Sequence, residues 1–361
     1  MNTPKSYITH IGTAVPPYSI TQNEFVDHLI SHKDLSITAQ NKLRKIYDGS
    51  QIDKRHFVID FKQNFSKYFS SYFSITDRMQ WFEQHASALG IQAIKNSGIK
   101  EHTLASVTHL ITVSCTGMYT PGIDVEIIKA CGIPSTVART CIYFMGCAAM
   151  INALKTADAI CRAHPDAKIL IVSVELCSLH FQNENNEDQM IANALFADGA
   201  ACVLIQSRTD QKRKISLENF YSDLIKDTTQ HMAWTIRNDG FMITLSAFIP
   251  NLIALGIKKL IEPMLTYYNV ALSDIDHFAI HPGGPKILQR IEDILNIPAA
   301  HNAAAYDILK NYGNMSSATI VFILQYLLQT IPDDKQDQTI LGMAFGPGLT
   351  VESALFKVSH D

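Results

Sequence analysis

Three short stretches contain the side chains that nucleophilic acyl chemistry requires: FMGCAAM around Cys147, FAIHPGGP around His281 and YGNMSS around Asn314. Cys147 falls where an apolar run gives way to a helical stripe of Met150, Ile151, Leu154, Ala157 and Ile160. A thiol there faces the unpaired N–H groups and positive dipole end of a helix, so its pKa should fall and favour a nucleophilic thiolate. Gly146 can supply the backbone geometry of a tight strand-to-helix turn, and the small Ala148 and Ala149 leave room for a substrate. A cysteine among small residues also fits a core as a small hydrophobe, so the choice rests on a partner base. His281 ends an apolar strand and precedes a Gly-Gly turn; most of the fourteen histidines lie in polar surroundings, such as His28 and His32 in FVDHLISHK. Asn314 stands before an apolar helix, where an asparagine is ordinarily a turn or cap residue. An amide with two N–H donors beside an imidazole can also form a pocket for a developing oxyanion.

Two sets of alternating elements must position these residues. Ahead of the stretch 207–230, which has the weakest hydrophobic patterning, strand-like runs at 107–115, 137–146, 167–176 and 199–206 alternate with helical patterns at 77–96, 122–130, 147–162 and 188–195. Beyond it come a helix at 251–268, a strand at 275–281, helices at 285–295 and 316–328, and strands at 338–345 and 349–358 joined by Gly346-Pro347-Gly348. Such alternation implies α/β layering with largely parallel central sheets. The chain divides into a half at 1–215 carrying the cysteine and a half at 216–361 carrying the histidine and asparagine, which suggests a duplication.

Bulk properties narrow the function. A chain of 361 residues, 47% hydrophobic and 18% charged, has ample core for two such halves. A net charge of −4 gives no global field for nucleic acid or an anionic membrane. The amino-terminal MNTPKSYITHIGTAV lacks the apolar stretch of a secretory signal, and no window is long and apolar enough for a membrane span, so a soluble, cytoplasmic protein is expected. Seven cysteines without a CxxC pair argue against a disulfide framework and a common zinc site; most are expected to be reduced core residues.

Taken in order and at these separations, MGCAAM, HPGGP, YGNMSS and AFGPGLTVE resemble the type III polyketide synthases, the chalcone synthase-like branch of the thiolase fold. TPGIDVEII, VELCSLHFQ and ALFADGAACVLI add to the resemblance, which spans about residues 7–356. It implies a duplicated, layered α-β-α-β-α architecture with mixed central sheets, and a Cys147-His281-Asn314 triad. In that family the thiolate, ion-paired with the histidine, takes an acyl group from an acyl-CoA starter, and decarboxylation of malonyl-CoA supplies the enolate that extends it. Iterative condensation and cyclisation to a pyrone, resorcinol or phloroglucinol-type product follow. CoA thioesters are then substrates, with no tightly bound cofactor and no metal, and the protein is expected to be a homodimer.

The same resemblance implies further site residues. Phe196 is similar to an aromatic gatekeeper between CoA tunnel and cavity, and Ile243 falls near the second gatekeeper, a phenylalanine in the plant enzymes. Cys115, His180, Trp234 and Ser316 fall near cavity-lining positions, and Thr120 near the residue that reaches across the dimer interface. Lys42 and Lys45 match two cations of a basic CoA-binding stretch whose third position is Gly49, and Gly284 could let the backbone approach the CoA arm. Ala148, Ala149 and Met150 replace the aromatic-alanine-glycine run that usually follows the plant cysteine, and Ala344 replaces the first glycine of GFGPG; both departures bear on cavity shape. A β-ketoacyl-acyl carrier protein synthase III is the nearest alternative, with hydroxymethylglutaryl-CoA synthase and a catalytically silent scaffold behind it.

Overall fold

Strands from both halves join in one mixed sheet in the computed structural model, which describes residues 5–64, 73–182, 186–332, 334–335 and 337–359. Its strands are β1 (Ser6–Ala14), β4 (His109–Ser114), β5 (Ala138–Tyr143), β6 (Lys168–Leu176), β7 (Asp198–Gln206), β8 (Lys214–Leu224), β11 (His277–Ile280), β12 (Gln338–Gly346) and β13 (Thr350–Ser359). Two small hairpin-like pairs lie outside it: β2 (Tyr18–Thr21) with β3 (Lys54–Phe57), and β9 (Met232–Arg237) with β10 (Gly240–Leu245).

The sheet order is β11-β12-β13-β8-β1-β7-β6-β4-β5. In the first half β4 runs parallel to β6, β6 antiparallel to β7, and β7 antiparallel to β1. In the second half β11 runs parallel to β12, β12 antiparallel to β13, and β13 antiparallel to β8. The same pairing sequence thus occurs twice, and β1 and β8 join the halves antiparallel through Ser6–Ile8 and Ile215–Leu217. Alternation alone pointed to largely parallel sheets, which is corrected to the mixed sheet that the resemblance implied: β7 and β13 return antiparallel beside β6 and β12. The stretch 207–230, read as weak in patterning, holds β8, whose outer residues are only partly buried and so lack an apolar run.

Helices cover the sheet at the positions the periodicity predicts, including Ile75–Asn96, Ala149–Ala163, Ile249–Tyr268 and Thr319–Thr330. Ala149–Ala163 buries Met150, Ile151, Leu154 and Ala157, and Thr319–Thr330 buries Ile320, Ile323 and Leu324. Both descend from short turns, Gly146–Ala148 and Ser316–Ala318, that pack against each other. Corresponding helices of the two halves thereby bring their starting turns to one place.

Candidate active site

Cys147 owes its position to an unusual backbone. After β5, Phe144 has φ +61° and Gly146 φ +64°, and the chain then enters the turn Gly146–Ala148. Left-handed φ costs a side-chain-bearing residue roughly 1–2 kcal/mol, and a Cβ on Gly146 would meet Pro347 Cδ at 2.3 Å. Gly146→Ala is therefore expected to lower unfolding free energy by at least about 2 kcal/mol, measured by denaturant titration. An unchanged midpoint and slope would contradict this reading of the turn.

His281 follows β11 directly, and its N–H donates to the Met343 carbonyl at 2.8 Å. Gly283 N–H donates back to the His281 carbonyl at 3.0 Å, closing the turn that leads to helix Pro285–Leu295. Asn314 is held from two sides. Its N–H donates to the Leu195 carbonyl at 2.9 Å, and its carbonyl accepts from Ala197 N–H at 2.8 Å, a bridge that places it against Phe196. Its side-chain Oδ1 accepts from Ser316 N–H at 2.8 Å, which fixes the amide plane and leaves the NH₂ to donate. Ser316 has φ +48°, a second left-handed turn at the head of a helix.

Cys147, His281 and Asn314 all line one cavity of about 70 Å³. Cys115, Cys177, Phe196, Trp234, Ile243, Leu245, Ser316, Phe345 and Pro347 enclose it, making a narrow and mostly apolar space. This environment reverses the expected electrostatics. Burial pushes the Cys147 thiol up to about 12, opposed by the Ser316 hydroxyl, reinforced by the nearby Glu175 carboxylate and opposed again by the Asn314 side chain. Cys147 is only partly buried and opens on this cavity. Burial also pushes His281 down to about 3, and both ring nitrogens lack a hydrogen-bond partner among the described residues. Desolvation thus runs against the low-pKa thiolate expected from the helix end, whose dipole is worth about 1 kcal/mol. Both shifts run against a resting ion pair, and the thiol donates to Ser316 Oγ at 3.7 Å.

The sign for pH follows. A raised thiol pKa means the thiolate fraction increases with pH, about tenfold per unit below that pKa. Labelling of Cys147 by iodoacetamide, followed by mass, is expected to climb steadily between pH 7 and 9. A rate flat across that range would show a preformed ion pair instead.

The other anticipated residues separate into three groups. Phe196, Trp234, Ile243, Cys115 and Ser316 line the cavity. Trp234 pairs with Ile243 across β9 and β10, and its indole N–H donates to the Cys115 carbonyl at 2.8 Å. His180 does not reach the cavity: it lies behind the wall, bonded through Nε2 to the Thr116 carbonyl at 2.6 Å and through Nδ1 to Phe241 N–H at 3.1 Å. That arrangement assigns the proton to Nε2 and leaves Nδ1 as acceptor, with the ring stacked on Phe241 at 4.1 Å. Its polar atoms are spent on bracing the hairpin. Thr120 is exposed, in the surface recess of Met118, Tyr119 and Arg139, and a single chain does not bring it to the cavity.

The residues expected to meet CoA lie outside the cavity as well. Lys42 and Lys45 are exposed on helix Ile37–Asp48, and Lys42 forms an ion pair with Glu187 at 2.7 Å. Gly284 caps helix Pro285–Leu295 with φ +154°, while its neighbour Gly283 lines the cavity. Ala148, Ala149 and Ala344 are buried in the core and do not line the cavity, so the room in front of Cys147 is made by other residues.

One contributor was missed. Glu175 on β6 is fully buried and accepts from Cys115 N–H at 3.0 Å, from Thr116 Oγ1 at 2.9 Å and from the Ser317 hydroxyl. It ties β4, β6 and the Ser316–Ala318 turn together beneath Cys147. A lone glutamate in the apolar run KILIVSVEL was the available signal, because a carboxylate in a buried strand needs donors.

The chain matches known proteins along nearly its whole length. The family model for the chalcone and stilbene synthases, N-terminal domain, matches residues 1–209, and that for the C-terminal domain matches residues 216–359. The chain is 32% identical over 358 residues to the α-pyrone synthesis polyketide synthase-like protein Pks18 of Mycobacterium tuberculosis, covering 97% of this chain and 91% of the relative. Among solved structures it resembles the C-terminal type III polyketide synthase domain of Steely1, a type I/III hybrid from Dictyostelium, with a TM-score of 0.91, 29% identity and coverage of 98% and 99%. It also resembles PKS-I of the brown alga Ectocarpus siliculosus, with a TM-score of 0.89, 27% identity and coverage of 99% of each chain.

Proposed function

Because the chain belongs to the chalcone and stilbene synthase family and is a type III polyketide synthase, an acyl-transferring condensing enzyme, we propose that Cys147, His281 and Asn314 perform its condensation. The observation that supports this is their convergence on one narrow apolar cavity. Neutral His281 takes the thiol proton as Cys147 Sγ attacks the thioester carbon of an acyl-CoA starter, and the resulting imidazolium returns it to the departing CoA thiolate. Malonyl-CoA then breaks its carboxyl C–C bond, releases carbon dioxide and leaves the electron pair as an enolate. Asn314 NH₂ and a protonated His281 nitrogen donate to the enolate oxygen; its carbon attacks the acyl carbon on Cys147, the acyl C–S bond breaks, and Cys147 leaves as the thiolate, free to be reloaded. The apolar wall keeps water from competing.

The extended β-ketoacyl-CoA returns to Cys147 for further rounds, and the chain then cyclises to a pyrone, resorcinol or phloroglucinol-type product. The name of the Mycobacterium relative favours the α-pyrone. Single condensation in the manner of β-ketoacyl-acyl carrier protein synthase III is not favoured, since both family models and the structural relatives are polyketide synthases. Lys42, Lys45 and Gly284 are proposed CoA contacts, with Lys42 exchanging Glu187 for a phosphate. A homodimer is proposed because the outer strand β5 exposes Ala138 to Cys141 beside Thr120, an edge that a second copy would cover. Among the described residues no helix is long and apolar enough to cross a membrane, and a cytoplasmic location suits a supply of CoA thioesters.

The test is incubation with malonyl-CoA and starters from acetyl-CoA to long-chain acyl-CoA, without acyl carrier protein, with products read by mass. Multiply extended products are expected; a single condensation strictly dependent on acyl carrier protein would overturn the proposal. Ile243→Phe is expected to narrow the cavity and shift the preferred starter toward shorter chains by about tenfold in relative kcat/KM, checked on the same panel.

A further inference from the structure

Helix Glu187–Leu195 ends in the interior of the protein, where the carbonyls of its last turn have no following residues to bond. Four successive carbonyls there find donors elsewhere in the chain. Arg55 Nη1 donates to Asn193 O at 2.6 Å and to Phe196 O at 2.7 Å. Gln22 Nε2 donates to Ala194 O at 2.6 Å, and Asn314 N–H donates to Leu195 O at 2.9 Å. Arg55 is fully buried, its guanidinium packed 4.8 Å from the Phe25 ring centroid and 5.1 Å from that of Phe57. Burial lowers its pKa to about 10, so it remains a cation at neutral pH, opposite the negative end of the helix dipole and near buried Asp198. Its stem touches the other side of the same junction: a Cβ on Gly313 would come within 3.0 Å of both Arg55 Cγ and Cδ, and of the Leu195 carbonyl.

We propose that Arg55 is a positioning residue for the condensation half-reaction, gripping the Phe196 carbonyl from one side and lying on Gly313 from the other so that the Asn314 amide stays aimed into the cavity. It touches neither substrate nor the reacting atoms. The inference rests on the proposed role of Asn314, and it separates two half-reactions. Cys147 and His281 suffice for acyl loading and sit on other elements, whereas decarboxylation of malonyl-CoA draws on Asn314. Both bonds come from the one nitrogen Nη1, whose place is fixed by the planar guanidinium packed between Phe25 and Phe57; a lysine keeps the charge without that fixed plane.

The experiment is a double-mutant cycle of Arg55→Lys and Asn314→Ala in the full chain, reading acylation of Cys147 by intact mass and carbon dioxide release from malonyl-CoA. Arg55→Lys is expected to slow carbon dioxide release about tenfold or more while acylation changes less than threefold, and to add no further loss in the Asn314→Ala background. Equal losses in both half-reactions, a full further loss in the Asn314→Ala background, or failure of Arg55→Lys to fold would each overturn it. If Asn314→Ala alone leaves carbon dioxide release intact, the proposed role of Asn314 fails, and the Arg55 proposal fails with it. If Asn314→Ala is impaired and Arg55→Lys is not, only the Arg55 proposal is lost.

Discussion

Cys147→Ala is expected to abolish acyl-enzyme formation and to reduce polyketide output by about 10⁴-fold or more, the scale seen when a covalent nucleophile is removed from a working site. The intact protein incubated with acyl-CoA should gain no acyl mass. Release of carbon dioxide from malonyl-CoA should continue, because the side chains proposed to stabilise the enolate stand on other elements: His281 after β11, and Asn314 before the turn Ser316–Ala318. The six other cysteines provide the internal control. Persistent acyl labelling in the variant would assign the carrier role to another thiol, with Cys115 and Cys177 the candidates nearest the cavity.

His281→Ala carries the second large effect. General base catalysis contributes about 10²–10⁴-fold, and loss of one oxyanion donor about 10²–10³-fold. Acylation of Cys147 is therefore expected to fall by at least about 10²-fold at pH 7, and carbon dioxide release by a similar factor. Alkylation by a small reagent at pH 9 should change only a few-fold, because hydroxide then generates the thiolate and the imidazole is not needed. His281→Gln, which retains an amide donor, should recover part of the decarboxylation and none of the acylation. If both variants acylate at the native rate, the proton leaves the thiol by another route.

That Cys147, His281 and Asn314 would meet was legible because their signals are local. A cysteine at a strand-to-helix junction, a histidine after an apolar strand and an asparagine ahead of an apolar helix each mark the end of an element, and element ends in layered α/β folds face one side. The family resemblance supplied their grouping. What stayed hidden depends on atoms brought from afar. The helix end argued for an acidic thiol, but only the assembled walls of Trp234, Ile243 and Phe345 reveal the desolvation that overrides it. His180 matched a cavity position by spacing, yet two backbone partners, Thr116 and Phe241, draw its ring behind the wall. Strand β8 was lost because a strand with a half-exposed face carries no strong apolar run. Arg55 sits in the polar string DKRH, where nothing indicates that one of its cations ends in the core.

The duplicated pairing pattern has an outcome for how the protein loses activity. Cys147 and Asn314 lie on opposite sides of the β1–β8 seam in the chain, and the turns beside them, Gly146–Ala148 and Ser316–Ala318, touch. The distance between sulfur and amide is therefore a gauge of the seam between the repeats. A small shear at the β1–β8 seam would part Cys147 from Asn314 while leaving most of the strand pairing intact. Catalysis should accordingly fade at lower denaturant than secondary structure does, and the enzyme should go quiet before it melts.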